Sequence, residues 1–162
     1  MTQSPRPPRS GGRNTANRKT DMTPDPDTQP QFYEGVPTKR LLAWTVDVLI
    51  TAVLTLLVIP LTAFIGLFFL PALYAVIGFI YRVTTLSRGS ATWGMRLLAI
   101  ELRTRDDRHF DLPIAFAHTL GYTVSLMMPL LQLVSIGMML GSERRQGLSD
   151  LVLGTVALNR RA

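Results

Sequence analysis

The chain has 162 residues, no cysteine and a formal net charge of +6. Its length allows one domain and a tail, and the lack of cysteine excludes disulfides and thiolate metal sites. The hydrophobic residues, 47% of the chain, are segregated into long runs that cations flank. This placement is typical of a membrane protein oriented by its positive charges, and it disfavours nucleic-acid binding.

The first 34 residues are dominated by proline, glycine, hydroxyl and charged side chains. Such a segment cannot bury enough apolar surface to offset its ordering entropy. We therefore expect a disordered tail over residues 1–34, followed by one membrane domain over residues 35–160. No apolar segment follows the first basic residues, so the tail is not a secretory signal peptide, and its arginines should hold it in the cytoplasm.

The longest apolar run lies between Arg40 and Arg82, and its 41 residues carry a single charge, Asp47. Two membrane spans and a turn need about 40 residues, because a hydrocarbon core of ~30 Å takes ~20 residues at 1.5 Å each. The run therefore predicts a transmembrane helical hairpin, with helices at about 40–60 and 64–82.

Proline and glycine divide this run. We expect the turn of the hairpin around Pro60–Gly66 and a kink at Pro71 in the second helix. Both ends of the hairpin carry cations. By the positive-inside rule, both ends should lie in the cytoplasm.

A polar loop over residues 82–111 follows the hairpin. Alternation over Leu97–Arg103 predicts a short strand, and His109–Leu112 is a candidate return strand, so the β-like region covers about 97–112. An amphipathic interfacial helix over 92–102 is the competing interpretation.

The third apolar segment, about 112–141, has no formal charge and contains Pro129. It is long for one helix and short for two. A single span would place the C-terminal arginines outside, whereas a turn at Pro129 would keep them inside, so we favour a kinked or re-entrant helical segment. A final strand at about 154–159 could pair with residues 97–102 at the cytoplasmic surface.

One helical face of the first span is polar. Asp47 follows Arg40 by seven residues, which places the two within ~20° of one face and ~10 Å apart along the axis. Thr51 and Thr55 lie near the same face. A carboxylate in hydrocarbon costs ~2.5–3.5 kcal/mol, so Asp47 should face the protein interior. It is either an ion- or proton-binding group in a transport path or, the interpretation we favour, an interhelical clamp paired with Arg40, Arg96 or a C-terminal arginine.

The third segment carries a second polar stripe at helical spacing: His118, Tyr122, Ser125 and Gln132. A packing face is its simplest interpretation, because a lone histidine is a weak ligand signal and predicts no metal. The chain also lacks the familiar nucleophile and phosphate-binding motifs, so we expect neither an enzyme nor a cofactor.

The expected topology brings polar side chains from distant parts of the chain to one side of the membrane. We predict a cytoplasm-proximal functional cluster of Arg40, Asp47, Arg96, Arg145 and Asp150, with His118 as a further candidate.

Three short motifs follow one another in the chain: Arg40-x-x-Ala43-x-x-x-Asp47, then Gly89-x-x-Thr92-x-Gly94-x-Arg96-Leu97-Leu98, then Arg145-Gln146-Gly147-Leu148-Ser149-Asp150-x-x-x-Gly154-Thr155. Together they resemble the RDD family of bacterial integral membrane proteins over about residues 35–159. The family is named for one arginine and two aspartates, which match Arg40, Asp47 and Asp150. Two positions depart from the family pattern, since Ser149 stands where histidine is frequent and His118 where arginine is frequent.

The resemblance implies a multi-pass protein of the bacterial inner membrane. Transport has been suggested for the family, and sodium/proton antiport for some members. We expect a transporter of ions or small solutes with Asp47 as its site, or, alternatively, a structural or assembly protein that binds partners through its cytoplasmic loop and tail. Its expected partners are the lipid bilayer and further copies of itself or other membrane proteins.

Overall fold

A computed structural model describes residues 22–161. The fold is mostly helical with one small sheet, as predicted. Its elements are α1 (Val36–Val58), α2 (Leu70–Gly89), α3 (Trp93–Leu97), β1 (Ile100–Thr104), α4 (Leu112–Met127), α5 (Pro129–Gly141), α6 (Leu148–Leu153) and β2 (Thr155–Asn159).

The predicted hairpin is confirmed, but its second helix begins and ends later than the sequence suggests. α2 starts at Leu70, and Pro71 lies in its first turn. A proline there sacrifices no hydrogen bond, because the first N–H groups of a helix have no partner in the helix. The predicted kink at Pro71 is therefore wrong. Two short 3₁₀ turns join the helices, with Ala63 and Phe64 between them in the left-handed conformation.

α1 and α2 are each long and apolar enough to cross a membrane. Their most apolar windows are only 28% and 22% buried within the protein, so most of this apolar surface suits lipid. The buried face of α1 is instead small or polar, and it contains Ala43, Asp47, Thr51 and Thr55. In a soluble protein the buried face is apolar and the exposed face polar. Here the order is reversed, because hydrocarbon solvates leucine well and carboxyl or hydroxyl groups poorly.

α4 and α5 form a broken pair bent by 116° at Met128. The chain enters this pair from β1 and leaves it toward β2, and these strands pair antiparallel, with Ile100 opposite Asn159 and Thr104 opposite Thr155. The pair therefore returns the chain to the end of the molecule that it left, in agreement with the predicted kinked or re-entrant segment.

The pairing of β1 corrects one local prediction. The candidate return strand over His109–Leu112 does not form, because α4 already begins at Leu112. Asp111 caps that helix, its Oδ1 accepting a hydrogen bond from the N–H of Ile114 over 3.0 Å. β1 pairs with the C-terminal strand instead.

α3, β1, α6 and β2 together form a cap on one end of the long helices. Apolar side chains from the cap and the adjoining helix turns build its core, which includes Val36, Leu86, Met95, Ile100, Leu102, Phe110, Ala115 and Ala157. The competing interpretation, an interfacial helix over 92–102, holds only for α3, since the chain forms the predicted strand from Ile100.

Most of the predicted tail, residues 1–21, lies outside the described residues. The remainder contacts the cap. The N–H of Met22 donates to the carbonyl of Arg105 over 2.9 Å, and the Tyr33 hydroxyl donates to the carbonyl of Pro24 over 2.6 Å. Asn159 at the end of β2 donates to the carbonyl of Glu34 over 2.9 Å. The segment that precedes α1 therefore lies at the cap end of the molecule.

Candidate functional site

Asp47 is the centre of one polar cluster, and its side chain is 2% exposed. Three neutral groups donate hydrogen bonds to its carboxylate: the Tyr81 hydroxyl to Oδ1 over 2.8 Å, the Thr92 hydroxyl to Oδ2 over 2.6 Å and the Gly94 N–H to Oδ1 over 2.9 Å. The closest cation is Arg82, whose Nη2 lies 3.9 Å from Oδ2. Asp47 is thus fixed by neutral donors and neutralised by a more distant charge.

The start of α3 is shaped to reach Asp47. Thr92 caps this helix, its hydroxyl oxygen accepting from the Met95 N–H over 3.2 Å while the hydroxyl hydrogen points to the carboxylate. A Cβ at Gly94 would collide with the carbonyl oxygen of Ala43 on α1. Only glycine permits this close approach of two backbones. The Thr-x-Gly motif therefore docks the cap onto α1 at Asp47.

Asp150 is the centre of a second cluster and is wholly buried. Arg40 on α1 donates to its Oδ2, and Nε2 of His118 on α4 lies 2.9 Å from its Oδ1. The carboxylate also accepts from the Gly147 N–H over 3.1 Å and from the Thr155 hydroxyl over 3.2 Å. Asp150 therefore ties together α1, α4, α6 and β2.

Opposing electrostatic effects act on the pKa of Asp150. Burial by itself raises the pKa of this carboxyl group, but the nearby Arg40 guanidinium and the hydrogen bond and charge of His118 outweigh burial. The net effect holds the pKa of Asp150 well below its ordinary value of 3.8. The carboxylate is therefore the stable form in the folded protein.

The single cluster predicted from the sequence is divided in two. Arg40 does not pair with Asp47, although both lie on the buried side of α1. Their ~10 Å separation along the helix axis places them at different depths, where different elements face them. Arg40 meets Asp150, and Arg82, which the sequence reasoning treated only as a flanking charge, lies near Asp47 instead. One feature of the sequence could have predicted this contact: Arg82 directly follows Tyr81, within the last turns of α2.

The other two arginines of the predicted cluster lie elsewhere. The Arg96 guanidinium packs against Gly89 at the end of α2. Arg145 donates to the carbonyl of Leu140 over 2.6 Å near the end of α5. Neither hydrogen-bonds to Asp47 or Asp150.

The predicted stripe of the third segment is also distributed over separate contacts. Ser125 donates to Gln132 over 3.0 Å across the bend between α4 and α5. Tyr122 accepts a hydrogen bond from the Trp44 indole N–H over 2.8 Å. Within residues 22–161, no group of three or more histidine or acidic side chains is arranged to hold a metal ion.

An open cavity of about 330 Å³ lies between α1, α2 and α4. Its polar lining residues are Asp47, Thr51, Tyr74, Arg82, Tyr122 and Thr123, and the rest of the lining is mostly apolar. The Arg82 guanidinium lies 4.1 Å from the centre of the Tyr122 ring, a cation–π contact. Asp47 and Arg82 therefore form a charged pair on the wall of an otherwise largely apolar cavity.

Long apolar helices with a polar buried face, closed at one end by a small mixed cap, define a helical membrane protein. The sequence model of the RDD family matches residues 35–154, and the chain belongs to that family. Asp47 and Asp150 are the centres of the two clusters, and Arg40 belongs to the second. No curated protein and no solved structure is significantly similar to the chain.

Proposed function

We propose that the protein is a multi-pass component of the bacterial inner membrane, with its N-terminus, cap and C-terminus in the cytoplasm. Exposed cations are concentrated at the cap end, among them Arg88, Arg96, Arg105, Arg108 and Arg160. The opposite end, formed by residues 59–69 and the bend near Met128, has no charged residue. This asymmetry is what the positive-inside rule associates with a cytoplasmic cap.

We further propose that the protein binds and moves an ion or small solute through the cavity between α1, α2 and α4. The observation that supports this is the arrangement of Asp47 and Arg82. Three neutral donors hold Asp47 in place independently of Arg82. Arg82 lies beyond hydrogen-bond distance from it, at 3.9 Å, and its side chain is 14% exposed.

This geometry allows the pair to exchange partners. A cation that enters the cavity can take the place of Arg82 beside Asp47, and an anion can draw Arg82 away. In each case the carboxylate stays fixed while the flexible guanidinium moves, and its existing contact with the Tyr122 ring can persist without Asp47. Charged groups inside a membrane commonly mark ion or proton pathways for this reason.

The transporting unit in this proposal contains more than one chain. Two long helices and one bent pair leave the cavity open at its side, so they do not enclose a pathway by themselves. α1 and α2 keep most of their apolar surface free for a second copy or another membrane protein.

The experiment is a flux assay on the full chain in proteoliposomes with an imposed sodium gradient and a pH-sensitive dye inside. Asp47→Asn and Arg82→Gln should each abolish coupled flux. Asp106→Asn and Arg108→Gln remove the same charges outside the cavity, and they should leave flux unchanged. Wild-type flux in the Asp47 variant, or no flux in the wild type for sodium, potassium or protons, would refute the transport proposal.

The second candidate is an assembly protein that binds partners through its cytoplasmic face. The exposed turn after β1, which carries Arg105, Asp106 and Arg108, favours it, because it projects charge away from the helices. This candidate predicts membrane proteins that copurify with the wild type and are lost in Arg105→Glu/Arg108→Glu. A chain that purifies alone and still moves ions would contradict it.

A further inference from the structure

A second concavity, of about 240 Å³, lies where α2 meets the cap. Three arginines line it together with Glu101. Arg88 comes from the last turn of α2 and Arg96 from the last turn of α3, whereas Arg160 follows β2. Folding thus brings Arg160 to Arg88 and Arg96, so that three cations from the ends of three elements surround one cavity.

The positive charge of this cavity is not balanced within the described part of the chain. Glu101 accepts two hydrogen bonds from Arg103, over 2.9 and 2.6 Å, and is therefore already paired. Across residues 22–161, the guanidinium groups of Arg88, Arg96 and Arg160 make no hydrogen bond or ion pair. Helix C-termini attract Arg88 and Arg96, but they do not account for Arg160. Gathered like charges repel one another unless an anion joins them.

The backbone holds two of these arginines at the cavity. The Arg160 N–H donates to the carbonyl of Ala99 over 2.7 Å, which extends the pairing of the two strands. Arg96 lies directly over Gly89, where any Cβ would collide with its guanidinium. Gly89 therefore leaves room for Arg96 inside the cavity.

The cavity also lies at the level of the lipid headgroups. α2 has 20 residues, about the length that crosses a hydrocarbon core, and the cavity adjoins its last turn. On the neighbouring α3, Trp93 and Leu97 are 60% and 72% exposed. They are four residues apart and share one face, and tryptophan favours the membrane–water interface. This short helix thus presents apolar side chains to lipid beside the arginine cluster.

We propose that this cavity binds a phosphate group, in the first place the phosphodiester headgroup of an anionic phospholipid. Guanidinium forks donate paired hydrogen bonds to phosphate oxygens, and three of them surround a space large enough for the group. Free inorganic phosphate shares this chemistry, so the test separates the two sources.

The test uses the full chain in detergent, with native mass spectrometry to titrate phosphatidylglycerol binding. Arg96→Gln/Arg160→Gln removes two charged groups that would donate hydrogen bonds to the bound phosphate, so it should weaken binding by about tenfold or more. Arg105→Gln/Arg108→Gln removes the same charge from the same end, outside the cavity, and should leave binding within about twofold. An equal loss in both variants, or no loss in the first, would overturn the proposal.

A charge-neutral variant guards against effects of net charge or misfolding. Gly89→Ala should displace the Arg96 guanidinium and weaken phosphatidylglycerol binding while all arginines remain. Unchanged binding in this variant would contradict the assigned position of Arg96 in the site.

Inorganic phosphate, titrated against chloride at equal ionic strength, identifies the source of the group. If phosphate displaces phosphatidylglycerol from the wild type but not from Arg96→Gln/Arg160→Gln, the result supports a lipid site that recognises the phosphate group. A melting temperature raised by phosphate but not by phosphatidylglycerol, and lost in Arg96→Gln/Arg160→Gln, supports free phosphate as the ligand. Failure of both probes to bind in an arginine-dependent way would refute the site.

Discussion

The two buried carboxylates solve the same physical problem in different ways. Asp150 meets the Arg40 guanidinium and the His118 imidazole directly and has no exposed surface. Asp47 meets neutral donors and lies beside an open cavity, with its cation, Arg82, further away. A direct ion pair fixes the cation to the carboxylate. Where neutral donors hold the carboxylate instead, its more distant cation can be exchanged for another.

The difference assigns separate roles to the two aspartates. Asp150 joins α6 and β2 to the sequence-distant helices α1 and α4, so its loss should affect folding first. Asp47 joins α1 to α2 and α3, but it also faces a space in which a solute fits.

Asp150→Asn should have the largest effect on stability. The substitution leaves the largely buried Arg40 without its counter-charge, and breaking a buried ion pair in this way costs about 3–5 kcal/mol. The measurement is thermal unfolding of the detergent-solubilised full chain, with Asp106→Asn as the control at an exposed turn. A melting temperature equal to that of the control would contradict the role of Asp150 as a structural junction.

Gly94→Ala should also destabilise the fold, by about 1–3 kcal/mol. The added Cβ meets the Ala43 carbonyl on α1, and backbone cannot yield as a flexible side chain does. Gly137→Ala is the matched control, because nothing lies within 4 Å of its added Cβ. Equal unfolding temperatures for the two variants would show that α3 does not dock as closely as the structure indicates.

Acid should weaken the Asp150 junction selectively. The pKa of Asp150 is lower in the folded protein than its ordinary value of 3.8, so the junction contributes stability above that value and loses it as the pH falls below it. The difference in unfolding temperature between wild type and Asp150→Asn should therefore shrink as the pH falls from about 5 toward about 3. A difference that grows over this pH range would contradict the sign of the shift.

The overall architecture could be predicted because few physical constraints determine it. Hydrocarbon thickness and the spacing of Arg40 and Arg82 predicted the hairpin, and Pro129 with the C-terminal arginines predicted the bent third segment. The pairing of residues near Leu102 with the C-terminal strand was also expected. The end of α2 was misplaced because the helix was expected to stop at Arg82, although that arginine lies inside the helix beside Asp47.

The site was predicted only in part, for a geometric reason. Periodicity locates Arg40 and Asp47 around the axis of α1, but it says nothing of what the other elements present at each depth. Thr92 and Gly94 contact Asp47 only because α3 folds back onto α1, and that contact depends on two backbones meeting at Ala43. His118 and Asp150 were both predicted as candidates, but their contact depends on the return of the chain through α5.

The most direct test of the distinction between the two carboxylates is the coupled flux of Arg82→Gln in proteoliposomes, measured beside its unfolding temperature. Arg82 contributes less to stability than Arg40, since it lies 3.9 Å from Asp47, beyond hydrogen-bond distance, and three neutral donors already hold that carboxylate. The account predicts flux lost with an unfolding temperature close to that of the wild type. Retained flux, or a loss of stability as large as that of Asp150→Asn, would show that the Asp47–Arg82 pair is a second structural junction rather than an exchangeable site.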